Sequence, residues 1–112
     1  MMDWKTELKS ANENLATFGA AAPATTEGFS ALHQAAMAPG ALDIKQKELI
    51  ALGIGIARQC VDCIGFHVKS AIAAGATREE IAETVSVCVM MGGGPAYMYG
   101  VKALEAYDQL SA

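Results

Sequence analysis

The chain has 112 residues, a net charge of −4 and a pI of about 5.0, which fits one domain spanning residues 1–112. It contains no run of Lys or Arg, so neither a nucleic acid nor an anionic membrane is an expected partner. Polar and acidic residues interrupt the N-terminal segment, unlike a signal peptide, and the longest apolar run, Leu49 to Ala57, is too short to cross a bilayer.

About six helical segments and no strand are predicted, which makes the fold class all-α. The first segment covers roughly residues 2–17. Its apolar positions, at helical spacing, are Trp4, Leu8, Ala11 and Leu15. A linker of small residues from Gly19 to Thr25, broken by Pro23, separates it from the second segment. That second helix is expected from about Thr26 to Met37. Its apolar side carries Phe29, Leu32 and Ala36.

The third and fourth helices have recognisable ends. Asp43 and Gln46, three residues apart, form a capping box at the start of the third helix. Because this helix is apolar nearly all round after Glu48, we expect it to be central and buried. The fourth helix is expected to begin near Cys60 and to end at Gly75, a residue typical of the position after a helix. Its core stripe is Val61, Ile64, Val68 and Ile72.

The fifth helix begins with a second capping box, formed by Thr77 and Glu80, and is expected to reach about Met91. Three alternating valines in it would also suit a strand, but the cap favours a helix. Three glycines then break the chain, and Pro95 suits the first turn of a last helix. The segment from Gly92 to Pro95 is not a phosphate loop, because it lacks the preceding strand and the Lys-Ser/Thr ending.

The chain is unusually apolar for its size. Hydrophobic residues make up 53% of it and charged residues 18%, whereas charged residues usually make up about 25% of a globular domain. A domain of this size cannot hide so much apolar surface within itself. We therefore infer a homo-oligomer; the alternative is an alanine-rich monomer.

The strongest chemical signal is the segment Cys60-Val61-Asp62-Cys63, with His67 four residues further on. Because the N-terminal segment does not resemble a signal peptide, we expect the protein to be cytoplasmic. In that compartment a close Cys pair is typically catalytic or metal-binding. A helix turns about 100° per residue, so Cys63 lies about 60° and His67 about 20° from Cys60. The three side chains therefore form one stripe, which faces away from much of the core stripe.

The place of this stripe at the start of a helix matters for its chemistry. Unpaired N–H groups and the helix dipole stabilise a thiolate at Cys60, and His67 is placed to exchange a proton with Cys63. Redox chemistry of a dithiol is the favoured interpretation. A metal site would have only three ligands, and a structural coincidence is the third interpretation.

Other residues give weaker signals. Glu48 is the last charged residue before an apolar run; it is either a solvated acid that suits the helix dipole or a carboxylate that acts beside a thiol and an imidazole. Sequence spacing does not show whether Glu48 comes near the sulfurs. Cys88 is expected to be a core cysteine, and His33 a surface or packed histidine.

These residues resemble the carboxymuconolactone decarboxylase superfamily and, within it, the AhpD-like alkylhydroperoxidase branch. The resemblance extends from about Phe29 to Tyr99. Three segments carry it: Leu42 to Leu52 with Glu48, the Cys60-x-x-Cys63-x-x-x-His67 box that begins twelve residues after Glu48, and Ala73 to Ile81 followed by Met91 to Ala96.

The resemblance implies an AhpD-like orthogonal helical bundle that assembles as a trimer or hexamer. It also implies a proton relay from Glu48 through His67 to the cysteines. Cys63 would be the attacking thiolate that becomes a sulfenic acid, and Cys60 would donate a proton and close the disulfide. The implied substrate is a small peroxide or disulfide, the implied reductant a lipoyl-type or thioredoxin-type dithiol, and neither cofactor nor metal is expected.

The sequence departs from the AhpD pattern in two ways. It carries one helical half where the AhpD type has two, and it has Asp62 between the cysteines where that type can carry a histidine; an acid there is expected to oppose thiolate formation. Two alternative functions stay open. One is a lactone-decarboxylase-type lyase that does not cycle a dithiol, against which the CxxC motif weighs, and the other is a non-catalytic metal-binding or assembly module.

Overall fold

The computed structural model describes residues 1–112, and all its regular structure is helical. The five helices are α1 (Trp4–Ala21), α2 (Pro23–Met37), α3 (Ile44–Ala57), α4 (Val61–Ala73) and α5 (Arg78–Leu110). Inside α5, Gly93 has a φ of 69° and a ψ of −151° and separates two helical stretches. The predicted all-α fold and the break among the three glycines are thus confirmed. The structure has five helices where six segments are predicted, because the last two predicted segments are the two stretches of α5. No helix combines the length and the apolar character that a bilayer crossing requires.

The predicted helix starts are confirmed in atomic detail. The Asp43 carboxylate accepts a hydrogen bond from the Gln46 backbone N–H at 2.7 Å, and the Gln46 side chain accepts one from the Asp43 N–H at 2.9 Å. Thr77 and Glu80 form the same reciprocal pair at the start of α5. These bonds satisfy N–H groups that a helix leaves unpaired, so both helices begin where the sequence placed them.

The connection between α1 and α2 is much shorter than the predicted linker. Instead of a linker from Gly19 to Thr25, only Ala22 lies outside a helix. Alanine has the highest helix propensity, so α1 continues to Ala21, and Pro23 fits the first turn of α2 because it needs no N–H partner there. The result is a tight hairpin of two helices, called here the α1–α2 hairpin (residues 4–37).

The core lies where α3, α4 and α5 pack against one another and the first half of α1 covers them. The large side chains that are fully buried are Trp4, Leu52, Ile56, Ile64, Val68 and Ile81. The predicted stripes of α1 and α4 supply three of them. Leu15, also predicted in the α1 stripe, is 59% exposed. The reason is that α1 packs against the core only through its first turns, where its buried residues lie.

Two helices are less buried than their apolar patterns predict. No residue of α2 is buried, and Phe29 and Leu32 are 67% and 63% exposed. At the C-terminal end of α2, the Lys47 ammonium donates to the carbonyls of Ala36 and Ala38. One side of α3 faces the core, but Ile54 on its other side is 58% exposed. Amphipathic spacing identifies the apolar face of a helix, whereas its partner depends on the tertiary arrangement.

Trp4, at the start of α1, contacts both the C-terminal part of α5 and α4. Its indole Nε1 donates to Glu105 at 2.8 Å, and its backbone N–H donates to the Gln109 side chain at 2.7 Å. The indole ring lies directly on Gly65 of α4: a Cβ added at Gly65 would lie 2.8 Å from both the Trp4 ring and the Leu8 side chain. Glycine at position 65 therefore allows α1 to lie close against α4.

We expect Gly65→Ala to lower the free energy of unfolding by about 1–3 kcal/mol, because the new methyl group forces the buried Trp4 and Leu8 to move. Gly28→Ala is the matched control, since no atom lies within 4 Å of a Cβ at that position in α2. This control should be neutral or stabilising by up to about 1 kcal/mol through helix propensity. Urea denaturation followed by circular dichroism measures both, and equal effects of the two substitutions would contradict the close contact.

Candidate active site

The turn between α3 and α4 places Cys60 at the start of a helix. Gln59 has a φ of 57°, a left-handed conformation that ends α3, and the Cys60 N–H then donates to the Gly55 carbonyl at 3.0 Å. Cys60 is the N-cap of α4 and has extended dihedrals. It therefore lies just before the helix, at the edge of the predicted stripe.

The two motif cysteines are joined to each other. Cys60 and Cys63 form a disulfide whose Cα atoms are 5.2 Å apart. The Cys60 Sγ atom also accepts a hydrogen bond from the Cys63 backbone N–H at 3.2 Å, which occupies one of the donors that a helix leaves free. After reduction, the same N–H and the positive end of the helix dipole favour a thiolate at this place.

Glu48 and His67 meet between α3 and α4. His67 Nδ1 is 2.8 Å from Glu48 Oε1, and Glu48, only 5% exposed, is the one buried charged residue. A carboxylate can only accept hydrogen bonds, so Nδ1 carries the proton and donates it to Glu48. In the neutral imidazole this leaves the lone pair on Nε2. The structure thus brings together two predicted site residues that the sequence could not place.

A cleft of about 640 Å³ separates the α1–α2 hairpin from α4. Cys63 and His67 line its α4 side, and the apolar part of its wall includes Leu15, Phe29 and Phe66. Glu48 does not line the cleft and contacts it through His67. The disulfide and the imidazole are therefore open to a small molecule, while the carboxylate behind them is shielded from water.

His33 on α2 also lines this cleft, opposite α4. From the sequence, His33 is expected to be a surface or packed histidine, and its side chain is indeed exposed. The single turn at Ala22 folds α2 back toward α4 and brings this second imidazole to the cleft. No local motif of the sequence signals that placement.

The other sequence candidates lie elsewhere. Cys88 is a half-buried free cysteine whose Sγ lies 3.7 Å from the Gly53 carbonyl oxygen, and burial raises the pKa of its thiol. It packs against the core, as predicted, and it does not line the cleft. The segment from Gly92 to Pro95 lies within α5. No three side chains of His, Cys, Asp or Glu are grouped so that they could hold a metal ion.

The fold and the site together define an all-helical protein with a CxxC disulfide at a helix start and a buried Glu–His pair beside it. Residues 23–106 match the model of the carboxymuconolactone decarboxylase family. The chain belongs to this family, and its Cys60–Cys63 pair agrees with the AhpD-like branch.

Similar proteins support this assignment over nearly the whole chain. An uncharacterized protein of Cupriavidus necator is 40% identical over 110 residues, which cover 98% of this chain and 97% of the relative. The apo crystal structure of a family member from Legionella pneumophila has a TM-score of 0.94 at 46% identity and covers 97% of both chains. A family member from Thermotoga maritima, described in connection with an antioxidative response, has a TM-score of 0.83 at 28% identity, with 94% of this chain and 90% of that chain covered.

We expect Glu48→Ala to lower the free energy of unfolding by about 2–4 kcal/mol, because it leaves the Nδ1 proton of His67 without an acceptor and opens a buried space. Glu48→Gln retains an acceptor of the same size and should cost roughly half as much. Glu83→Ala, at an exposed position in a helix, should stay within about 0.5 kcal/mol of the parent protein. If all three variants unfold at the same urea concentration, Glu48 is not the buried partner of His67.

Proposed function

We propose that this protein is a thiol–disulfide oxidoreductase of the AhpD-like alkylhydroperoxidase type, which reduces a small peroxide or disulfide with the Cys60/Cys63 dithiol. The observation that carries the proposal is the Cys60–Cys63 disulfide at the N-terminus of α4, beside a cleft that Cys63 and His67 line together. A nucleophilic sulfur needs a stabilised thiolate, access for its substrate and a nearby proton carrier. The helix dipole and the free N–H favour a thiolate most directly at Cys60, whereas the cleft and His67 lie beside Cys63. We assign the attack to Cys63 because of substrate access, the nearby imidazole and the family resemblance.

With a peroxide, the chemistry takes two steps. The Cys63 thiolate attacks one peroxide oxygen, the O–O bond breaks, and the other oxygen leaves as an alcohol or water after it gains a proton; Cys63 becomes a sulfenic acid. The Cys60 sulfur then attacks the Cys63 sulfur and displaces the hydroxyl group, which leaves as water with the proton from Cys60. The dithiol supplies the two electrons that reduce the peroxide. A disulfide substrate would instead form a mixed disulfide with Cys63, which Cys60 resolves.

His67 and Glu48 have different roles in this proposal. His67 accepts the thiol proton at Nε2 and returns it to the leaving oxygen. Glu48 acts through the imidazole: its hydrogen bond to Nδ1 sets the tautomer and stabilises the charged ring. Glu48 is therefore a positioning residue. This division of work agrees with the relay that the family resemblance implies.

An external dithiol must return the disulfide to the reduced form by thiol–disulfide exchange. The family resemblance suggests a lipoyl-type or thioredoxin-type partner, and no cofactor of this chain takes part. A reducing cytoplasm, where catalytic disulfides are reopened, suits such a cycle. The antioxidative response in the description of the Thermotoga maritima relative supports a peroxide as substrate.

We expect a stoichiometric amount of peroxide to remove two thiols from the reduced protein and to leave Cys88 free. Cys60→Ser and Cys63→Ser should each abolish multiple turnover, because one variant lacks the resolving thiol and the other lacks the attacking thiol. The measurement is a thiol titration before and after peroxide, with mass spectrometry to locate the new bond. Cys88→Ser, outside the cleft, is the matched control and should retain full turnover.

Activity that survives in both motif variants would refute the dithiol mechanism. Turnover of a lactone substrate by Cys60→Ser would then favour the lyase function, which needs no dithiol cycling. Zinc that copurifies with the protein, together with thiols that do not react with peroxide, would favour a metal-binding or assembly module.

We also propose that the protein is a homo-oligomer, and two observations support this. Its accessible surface of 6903 Å² exceeds by roughly 1,000 Å² the area expected for a folded monomer of 11.6 kDa, which is about what one subunit contributes to a typical interface. An exposed apolar surface extends over α3 and α5. This α3–α5 apolar surface consists of Ile50, Ile54, Val87 and Met91, each at least 50% exposed.

We expect the double substitution Ile54→Asp and Val87→Asp to convert the oligomer to a monomer, because two carboxylates within an apolar interface lose their hydration. Size-exclusion chromatography with light scattering measures the change in mass. Ser10→Asp, at an exposed position of α1, should leave the oligomer intact. A wild-type protein that is already monomeric at high concentration would refute the oligomer, and the measured mass would decide whether the implied trimer or hexamer forms.

A further inference from the structure

Positive charge collects in one cavity of this acidic protein. The cavity has a volume of about 620 Å³ and is lined by residues of α1, α4 and α5. Three lysines contribute to its wall, Lys5 and Lys9 from α1 and Lys69 from α4, and we call it the lysine cavity. Glu13 is the one acidic residue in this wall. Three positive charges and one negative charge leave the wall at +2, whereas the whole chain carries −4.

None of the three lysines has a partner within the chain. Of the eight lysines and arginines, Lys45 and Arg78 are paired with carboxylates, and Lys47 donates to two carbonyls. Five cationic side chains remain without such a partner, and three of them line this cavity. Lys5 and Lys9 are also four residues apart on α1, a spacing at which like charges destabilise a helix. An anion that lies among the three ammonium groups would therefore be stabilised, and it would relieve their mutual repulsion.

The lysine cavity adjoins the cleft beside the dithiol. Asn12 of α1 lines both spaces. On α4, Lys69 lines the lysine cavity, and the next residue, Ser70, lines the cleft. Cys63 lies six residues before Lys69, which corresponds to about 9 Å along the helix axis. A molecule with an extended chain can therefore reach Cys63 with one end while its other end lies at the lysines.

The space between these two ends suits an alkyl chain. Phe66 lies between Cys63 and Lys69 along α4 and lines the cleft together with Leu15 and Phe29. Leu15 and Phe29 are 59% and 67% exposed, so a chain that covers them removes apolar surface from water. The two adjoining spaces thus combine a reactive sulfur, an apolar middle and a positively charged far end.

We propose that the lysine cavity binds the anionic end of an amphipathic substrate whose reacting group lies at Cys63. The substrate class that fits both spaces is a hydroperoxide of an aliphatic carboxylic acid. The two electrons of the dithiol reduce such a compound, through the sulfenic acid at Cys63, to the corresponding hydroxy acid and water. That the ligand is a substrate rests on the proposed redox function, whereas the anion site itself does not.

The first test measures binding without a peroxide. Octanoate and octan-1-ol serve as probes, because their chains have the same length and only octanoate carries a charge. The protein carries Cys60→Ser and Cys88→Ser, so that Cys63 is the only thiol. We expect octanoate to protect Cys63 from alkylation by iodoacetamide at a concentration roughly five-fold lower than octan-1-ol requires. Added salt should remove most of this difference, because it screens exposed charges.

Substitutions of the exposed lysines locate the site. Lys69→Gln should weaken protection by octanoate roughly three-fold, and the combined substitution of Lys5, Lys9 and Lys69 by Gln about ten-fold or more, with protection by octan-1-ol unchanged. Lys102→Gln is the matched control, because Lys102 is also unpaired but lines a different cavity. Circular dichroism verifies that each variant is folded. The proposal is overturned if the two probes protect equally, or if Lys69→Gln and Lys102→Gln behave alike.

The second test addresses the substrate class by comparing 8-hydroperoxyoctanoic acid with tert-butyl hydroperoxide, which has no charged end. In the protein with all its cysteines, the three lysine substitutions should raise KM for the acid several-fold and leave kcat and the turnover of tert-butyl hydroperoxide unchanged. An unchanged KM for the acid would overturn the assigned substrate class. If neither hydroperoxide is reduced, the redox function fails together with this assignment, whereas the anion site is decided by the octanoate measurement alone.

Discussion

The hydrogen bond between Glu48 and His67 is the constraint on which the rest of the site depends. A carboxylate that is 5% exposed is costly to bury unless it is paired, because the interior cannot hydrate it. The bond to Nδ1 meets this requirement and at the same time fixes α4 in rotation against α3. Because Cys63 lies one turn before His67, the position of the disulfide in the cleft follows from the same contact.

The N-terminus of α4 also influences the ionisation of the two cysteines. Cys60 occupies the N-cap, a position usually taken by Ser, Thr, Asp or Asn, and its sulfur accepts the hydrogen bond that an oxygen would accept. A group that caps a helix is also a group that the helix dipole can stabilise as an anion. Asp62, in the first turn of the same helix, interacts favourably with that dipole but opposes a second anion beside it. The reactivity of the dithiol is thus the balance of these effects.

The cleft beside the disulfide and the α3–α5 apolar surface lie on different parts of the protein. The hairpin of α1 and α2 projects from the core, and its inner side forms one wall of the cleft in front of the disulfide. The α3–α5 apolar surface instead borders Cys88, away from that cleft. A small molecule can therefore reach the dithiol without passing the surface proposed for self-association. The Legionella pneumophila structure, with a TM-score of 0.94, has the same chain fold.

The sequence by itself determined the features that depend on residues within one or two turns of each other. The capping boxes at Asp43 and Thr77, the break at Gly93 and the shared helix of Cys63 and His67 are of this kind, because local hydrogen bonds and backbone preferences decide them. Only the tertiary structure decided that Glu48 meets His67. It also decided that α2 is exposed and brings His33 to the cleft. The physical reason is that the rotation and register of one helix against another result from the packing of the entire core, which helical periodicity does not encode.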